Sequence, residues 1–360
     1  MLTDAYQVSQ VSCGREHILL RLSTGKILAW GAIGSSRNGG GPPDICATPI
    51  LFNRPVEIQS EHTLQSVSAG SGINLGLTDK GEVVSWGDSL IGIGGNETTV
   101  AISAPELLTN LPRAEKIALG EHNFAMVDTL GHVYTWGMNI DGVLGRPSLQ
   151  LNALPGIVQN LPAVQSLVMG QGSVFAITTQ QDVFSWGSNS AGQLGLGHLN
   201  SQSSPMPISG LINIQSLAAG ATHVLALSTL GEVFVWGSNN KGQLGIDTIS
   251  YSDKPIKVKL PEKISAVAAG LHFSLALSES GSVYAWGWNG FGQLGLSDYE
   301  DRVLPTKIKG LASVKSISAG YTYSVATTSK ELLGWGNNSS GQIGGDTATV
   351  NFPDSFLAIA

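Results

Sequence analysis

The sequence predicts an all-β fold, a seven-bladed β-propeller of four-stranded antiparallel blades, from three landmarks that each occur seven times. A Trp-Gly pair recurs, with its tryptophan at Trp30, Trp86, Trp136, Trp186, Trp236, Trp286 and Trp335. A glycine precedes each pair, at Gly14, Gly70, Gly120, Gly170, Gly220, Gly270 and Gly320. A proline follows each pair, at Pro55, Pro105, Pro155, Pro205, Pro255, Pro305 and Pro353. From Gly70 to Gly320 successive glycines are always 50 residues apart, and this constant spacing indicates a repeat protein.

A single repeat, residues 205–245, shows why each unit is predicted to be a small sheet. It reads PMPISGL, INIQSLAAG, THVLALS and EVFVWG, followed by the loop SNNKGQLG. Short apolar segments that are separated by glycine, proline or a Leu-Gly turn are typical of a β-meander. No long segment has the period of an amphipathic helix.

The strand that ends in tryptophan predicts how the sheets stack. The side chain two residues earlier is bulky, as at Phe184, Phe234 and Tyr284, and it shares a face with the tryptophan. The residue directly before the tryptophan is mostly small, as at Ser185 and Ala285. A sheet with bulky side chains on one face and small side chains on the other is suited to packing between two neighbouring sheets. The segments SLAAG, AVAAG and SISAG suit the crowded positions where strands converge on an axis.

The two ends of the chain predict how the ring closes. The first repeat enters at YQVSQVSCG without a proline strand before it, and the last repeat ends on the proline strand FPDSFLAIA. We therefore expect the C-terminal strand to complete the sheet begun by the N-terminus, so that both termini share a blade. Residues 1–360 would then form one propeller domain.

Composition argues against several classes of function. A chain with 12% charged residues, a net charge of −7 and no Lys/Arg-rich tail is not expected to bind DNA. Cys13 and Cys46 are too few for a disulfide framework, the histidines are scattered, and no motif places a nucleophile beside a base. We therefore expect no metal, no cofactor and no hydrolytic site. The sequence shows no signal peptide and no membrane-spanning apolar stretch, so we expect a cytoplasmic or nucleocytoplasmic monomer without a membrane anchor.

The repeated phrase is similar to that of a known family. Residues 220–227, GATHVLAL, and residues 231–245, GEVFVWGSNNKGQLG, resemble the RCC1 repeat, named for the regulator of chromosome condensation. The resemblance covers essentially the whole chain and is weakest in the loops GAIGSSRNGGG and GDSLIGIGG of the first two repeats. It implies a seven-bladed propeller. We interpret the tryptophan as packing between blades and the Gly-Gln-Leu-Gly turn as structural, with an apolar anchor at Leu194, Leu244 or Leu294.

The repeats differ most in the loop that follows each repeated glycine. These seven loops read REH, SGI, EHN, QGS, ATH, LHF and YTY, and they comprise residues 15–17, 71–73, 121–123, 171–173, 221–223, 271–273 and 321–323. Equivalent loops emerge on one face of a propeller, around the mouth of its central channel. We call this surface the post-glycine face and interpret it as a binding surface on a rigid scaffold.

The resemblance also implies which side chains would contact a partner. In the family's exchange factor, acidic and histidine side chains of these loops contact the small GTPase Ran. The matching positions here are Glu16, Glu121, His122, His272 and Tyr321. The candidate face further includes Arg15, His17, Asn123, His223 and Tyr323. His17 and His223 occupy the family's regular histidine position, so the alternative for them is a hydrogen bond to the backbone within the blade.

An insertion interrupts the first repeat. The interval from Trp30 to Gly70 is six residues longer than the later intervals, and the extra residues lie within RNGGGPPDICATPILFN, residues 37–53. The exchange factor uses an inserted β-wedge from a different repeat. The insertion is therefore either an analogous wedge or a tolerated surface loop. The candidate wedge residues are Arg37, Asn38, Pro42, Pro43 and Asp44.

A set of lysines forms a second irregularity. PIKVKL and PTKIKG place Lys257, Lys259, Lys307 and Lys309 at matching points of adjacent repeats. If the proline strand is outermost, these lysines form a basic stripe on the rim. Such a stripe either meets an acidic partner or discourages pairing between exposed strand edges.

These observations together predict a non-enzymatic, protein-binding propeller. The most specific hypothesis is a regulator of a small GTPase such as Ran. Nucleotide exchange requires no proton chemistry, so the absence of a catalytic motif is compatible with it. RCC1-like bacterial effectors that act on host Ran fit the same description. The alternative is an interaction scaffold with another partner, as in ubiquitin-ligase or cilium-associated relatives. A photoreceptor is less favoured because only Trp288 lies outside the repeat pattern, and a secreted inhibitor is less favoured because no signal peptide is found.

Overall fold

The four segments of each repeat fold as four consecutive antiparallel strands. The computed structural model describes residues 7–32, 51–87, 102–147, 152–345 and 348–358, and the strands within them form seven separate four-stranded sheets. These sheets are the blades of a propeller, so the predicted fold class is confirmed. The described residues contain no helix, and hence none that could span a membrane.

The blades follow one another along the chain. Blades 1 to 4 contain β1 (Val8–Cys13), β2 (His17–Leu22), β3 (Ile27–Ala32), β4 (Leu51–Ile58), β5 (Leu64–Ala69), β6 (Ile73–Thr78), β7 (Val83–Gly87), β8 (Ile102–Leu107), β9 (Ala114–Leu119), β10 (Asn123–Asp128), β11 (Val133–Met138), β12 (Asn152–Ile157), β13 (Val164–Met169), β14 (Ser173–Thr178), β15 (Val183–Gly187) and β16 (Gln202–Pro207). Blades 5 to 7 contain β17 (Ile214–Ala219), β18 (His223–Ser228), β19 (Val233–Ser238), β20 (Tyr251–Lys257), β21 (Ile264–Ala269), β22 (Phe273–Ser278), β23 (Val283–Gly287), β24 (Arg302–Lys307), β25 (Ser316–Ala319), β26 (Tyr323–Thr327), β27 (Glu331–Gly336) and β28 (Val350–Ala358).

Each blade runs from the axis to the rim in chain order. The first strands of neighbouring blades contact one another, and their last residues line a cavity on the axis. Alanine and glycine therefore lie where strands converge, as the sequence predicts. The proline strand forms the outer edge of its sheet, where a missing N–H costs no ladder hydrogen bond.

The predicted closure of the ring is wrong. β28 pairs with β27 of its own repeat, and the N-terminal blade is complete in itself because β4 supplies its outer strand. The termini therefore do not share a blade. Closure instead relies on side chains of blades 7 and 1, which form one buried apolar cluster that includes Trp30, Tyr323 and Ile343.

The tryptophans join each blade to the one before it, as predicted. Trp186, Trp236 and Trp286 are fully buried. Their Nε1–H groups donate to backbone carbonyls in the loop of the preceding blade, at 2.9, 2.8 and 2.9 Å. Each indole therefore contributes both apolar burial and a hydrogen bond to the contact between blades.

The repeated loop is shaped to receive that indole. In blade 5, Asn239 Oδ1 accepts the backbone N–H of Leu244 at 2.8 Å, and the Leu244 side chain is fully buried. Gly245 has φ +72°, and a Cβ there would lie 3.0 Å from Trp286 Nε1. Glycine is needed both for the backbone angle and for the close approach of the indole. The structural interpretation of this phrase is confirmed.

Candidate functional site

Backbone hydrogen bonds fix the post-glycine loops, both within a blade and between neighbouring loops. The carbonyl of the second loop residue accepts an N–H from the residue after Trp-Gly in the same blade, as in Met138 to His122 and Trp288 to His272, both 2.9 Å. Neighbouring loops also bond to each other, as in Leu271 N to Tyr321 O at 3.0 Å. These bonds engage the backbone, so the first two side chains of a loop can vary without loss of the frame.

The third residue of each loop is buried, and at two of these positions a histidine joins adjacent blades. His17 is 3% exposed, and its Nε2 lies 2.7 Å from Asn74 Oδ1 in blade 2. His223 is 1% exposed, and its Nε2 lies 3.0 Å from Ser274 Oγ in blade 6. Both histidines are structural, but they contact residues of the next blade rather than the backbone of their own.

Burial removes four candidates from direct contact with a partner. Asn123 and Tyr323 are buried at the same loop position as His17 and His223. The sequence alone does not separate these residues from their exposed neighbours, because polar side chains occur at all three loop positions. The candidate contact surface therefore consists of the first and second residues of each loop.

Three first-position side chains and one second-position side chain converge at the mouth of the channel. The Arg15 guanidinium lies 5.5 Å from the centre of the Tyr321 ring. Its nitrogens lie 3.8 Å from Glu121 Oε1 and 3.6 Å from Glu16 Oε1. The contacts connect blades 1, 3 and 7. Burial, together with the charge of Glu121, raises the pKa of Tyr321 to about 12, so its hydroxyl stays protonated.

The cavity on the axis is small. It has a volume of about 130 Å³ and is lined by these first-position residues and by the ends of the inner strands. Cys13 belongs to this lining, and burial raises the pKa of its thiol to about 12. A thiol with such a pKa is not a nucleophile at neutral pH. The described residues contain no group of three or more His, Cys, Asp or Glu side chains that could hold a metal ion.

A larger groove lies on the same face across blades 3, 4 and 5, and we call it the acidic groove. Its volume is about 270 Å³, and Glu121, His122, Met138, Ile140 and Asp141 form one of its walls. His122 is exposed, and Ile140 is 54% exposed. The lining contains two carboxylates and neither lysine nor arginine. The acidic groove therefore suits a partner surface that presents a cationic side chain beside an apolar one.

An aromatic cluster occupies the same face on blade 6. The ring centres of His272 and Trp288 are 6.3 Å apart, and those of Trp288 and Phe291 are 5.4 Å apart, both pairs in edge-to-face geometry. Burial and the nearby Lys241 lower the pKa of His272, so the imidazole is neutral at pH 7. We call His272, Trp288 and Phe291 the aromatic cluster.

Sequence reasoning identified His272 but not its two aromatic neighbours. In the repeated phrase, Ser188 and Ala191 of blade 4 stand where blade 6 has Trp288 and Phe291. The frame accepts small side chains at these positions, so the aromatic replacements were the signal that could have located the cluster. The remaining candidates, Arg37, Asn38, Pro42, Pro43 and Asp44, lie outside the described residues.

Comparison with curated proteins gives short matches. The chain is 30% identical over 103 residues to the X-linked retinitis pigmentosa GTPase regulator of the dog, which is 29% of this chain and 10% of that protein. It is 31% identical over 124 residues to human probable E3 ubiquitin-protein ligase HERC6, which is 33% of this chain and 12% of that protein. The chain thus spans about a tenth of the length of these curated relatives.

Comparison with solved structures extends over most of the chain. Prp20p from Saccharomyces cerevisiae superposes with a TM-score of 0.78 at 23% identity, over 89% of this chain and 82% of that one. Human WBSCR16 superposes with a TM-score of 0.80 at 22% identity, over 92% and 93%. At such identities these matches show a shared fold.

Two family models match the sequence. Residues 8–39 match the model of the regulator of chromosome condensation (RCC1) repeat. Residues 90–358 match the model of the RCC1-like domain, which is well over half of the chain. The repeated landmarks, the seven blades and these matches agree, and the chain belongs to the RCC1-like domain family.

Proposed function

We propose that this chain regulates a small GTPase of the Ran type by binding it at the post-glycine face. The observation that carries the proposal is the acidic groove, where Glu121 and His122 project from a loop whose backbone is already hydrogen-bonded. A rigid loop loses little conformational entropy on binding, so its side chains are favourable contact points. A GTPase partner would place the chain in the cytoplasm or the nucleus.

Two further observations support this class of partner. A curated relative is named as a GTPase regulator, and the similar yeast structure is that of a protein studied for binding to Gsp1p and histones. Exchange activity requires only that the propeller bind the nucleotide-free GTPase more tightly than the loaded one. No residue of the post-glycine face would have to transfer a proton.

The proposal is tested by the release of a fluorescent GDP analogue from purified Ran and from a panel of other small GTPases. We expect the wild-type propeller to accelerate release from at least one of them. Glu121→Ala and His122→Ala should each reduce the acceleration by about tenfold, the effect expected of a central contact residue.

Glu61 and His62 provide a matched control. They form another adjacent Glu-His pair, but they lie between β4 and β5 at the opposite end of the blades. Glu61→Ala and His62→Ala should leave the release rate unchanged. An equal loss in both pairs of variants, or no binding and no release across the panel, would contradict the proposal.

The aromatic cluster favours a second candidate, an interaction scaffold for a partner other than a GTPase. It lies on blade 6, whereas the acidic groove extends over blades 3 to 5. Partly exposed aromatic side chains are typical contact hot spots and do not by themselves imply exchange. Tight binding of a captured partner that depends on Trp288 but not on Glu121 would support the scaffold.

A further inference from the structure

A groove on the opposite face carries a different chemistry. It lies where blade 5 meets blade 6, has a volume of about 570 Å³ and is lined by the turn at Leu230 and by residues 257–263. We call it the lysine groove, after Lys257, Lys259 and Lys263 in its lining. The post-glycine loops take no part in it, so it is a separate surface.

The backbone of this connection departs from that of most other blades. Four connections from an outer strand to the next inner strand contain a residue with positive φ, namely Asn110 (65°), Asn160 (59°), Gly210 (85°) and Gly310 (77°). The equivalent residue here is Leu260, and no residue from 258 to 263 has a positive φ. The connection therefore follows another path, and its distinct sequence, VKLPEK, is not required by the repeat.

The charges of the lysine groove are only partly compensated. Lys257 Nζ lies 2.6 Å from Glu232 Oε1. The carboxylate of Glu262 accepts hydrogen bonds from Ser280 and from Tyr284 Oη, and these bonds lower its pKa to about 2. Glu262 also lies 3.7 Å from Lys307 Nζ. Its carboxylate is therefore already engaged with residues of blade 6.

Two lysines remain for a partner. Lys259 and Lys263 are both exposed, and neither forms an ion pair within the described part of the chain. Leu230 lies in the same lining and is 62% exposed. Two unpaired ammonium groups beside an exposed leucine form a mixed cationic and apolar surface.

We propose that the lysine groove binds an acidic segment of a second protein, one that presents carboxylates to Lys259 and Lys263 and an apolar side chain to Leu230. A segment that combines acidic and apolar side chains fits the lysine groove better than a polyanion does. Glu232 and Glu262 also line the groove, and the chain has a net charge of −7. A nucleic acid or an anionic membrane would be repelled by these carboxylates, whereas a short segment can avoid them. The site does not depend on the proposed GTPase function.

The test uses a fluorescein-labelled peptide with the repeated sequence Glu-Asp-Leu, and follows its anisotropy against the full chain. We expect saturable binding that weakens as NaCl is raised, because exposed ion pairs are screened. The double variant Lys259→Gln/Lys263→Gln should weaken it by about tenfold. Leu230→Ser, or a peptide with Ser in place of Leu, should weaken it as well.

A charge-matched control lies on the next connection. Lys309 and Lys315 are exposed lysines at the start and end of the connection from blade 6 to blade 7. Lys309→Gln/Lys315→Gln changes the net charge by the same amount and should leave binding unchanged. Equal losses in both double variants would overturn the proposal, because they would indicate a general charge effect.

Two more probes distinguish the source of the anion. Phosphatidylserine vesicles and single-stranded DNA are titrated in parallel with the peptide. The proposal predicts that neither competes with the peptide for the wild-type chain. Binding of either probe that is lost in Lys259→Gln/Lys263→Gln while the peptide fails to bind would replace the proposed acidic segment with a membrane or a nucleic acid.

Discussion

The hydroxyl of Tyr323 lies 2.7 Å from the carbonyl oxygen of His17, 306 residues earlier in the chain, and 3.0 Å from that of Gly14. This contact joins the last blade to the first. Tyr323 occupies the loop position at which His17 and His223 reach the next blade. Because the termini do not exchange strands, closure combines side-chain contacts of this kind with a backbone hydrogen bond from Gly345 N–H to Asn53 O at 3.2 Å.

Removal of this hydroxyl should weaken the ring at its closure. Tyr323→Phe keeps the buried ring but removes the hydroxyl proton that the carbonyls of Gly14 and His17 share, and the His17 carbonyl then keeps only the Gly14 N–H. This loss should lower the free energy of unfolding by about 1–3 kcal/mol. Tyr321→Phe, on the surface of the same loop, should cost less. Urea unfolding of both variants measures the difference, and equal values would show that the Tyr323 hydroxyl does not support closure.

The tryptophan hydrogen bond can be separated from tryptophan burial. Trp30 and Trp236 are both fully buried, but Trp30 Nε1 has no partner among the described residues, whereas Trp236 Nε1 donates to Gln193 O. Trp236→Phe should therefore lower the free energy of unfolding by about 1–3 kcal/mol more than Trp30→Phe does. Only Trp236→Phe leaves a buried carbonyl, that of Gln193, without its hydrogen-bond donor. Denaturant unfolding of the two variants provides the comparison. A larger loss for Trp30→Phe would contradict the structural role of the bond.

The stability should fall in acid, in part because of His223. Burial, and then the charge of His272, lowers the pKa of His223 from 6.5 to about 3. Below pH 6.5 the His223 imidazole is protonated in the unfolded chain but stays neutral in the folded chain. The free energy of unfolding therefore decreases as the pH falls from 6.5 toward 3. For this residue the loss from about pH 7 to about pH 5 is about 2 kcal/mol.

His223→Gln isolates this contribution. The glutamine amide can still donate to Ser274 Oγ, but it cannot be protonated in this range. Unfolding free energies of the variant should depend less steeply on pH than those of the wild type. Parallel curves for the two proteins would show that His223 takes up its proton equally in both states.

The repeat period sufficed to predict seven blades, the inner Ala/Gly strand and the packing of Trp236 between blades. It did not predict the closure, because a pattern that is the same in every repeat contains no information about which outer strand pairs with which sheet. The site was predicted in part. A loop sequence such as YTY does not reveal that Tyr321 faces the channel mouth while Tyr323 is buried, since strand register decides that.

The aromatic cluster makes a prediction that needs no partner. Trp288 is the one tryptophan of the eight that is not buried. Trp288→Ser, which introduces the residue found at the equivalent Ser188, should remove most of the fluorescence that acrylamide quenches and leave the free energy of unfolding within about 0.5 kcal/mol of wild type. If Trp288 belongs to the contact surface, the variant should also lose affinity for the partner. Unchanged quenching would show that the indole is not accessible.

The proposed function requires that the post-glycine face bind nucleotide-free Ran more tightly than GDP-loaded Ran. The most direct measurement compares the affinities of nucleotide-free and GDP-loaded Ran for the wild-type propeller. The nucleotide-free form should bind at least about tenfold more tightly, and Glu121→Ala should reduce this ratio while Glu61→Ala should not. Equal affinities for the two forms, or no binding of either, would contradict the proposed function.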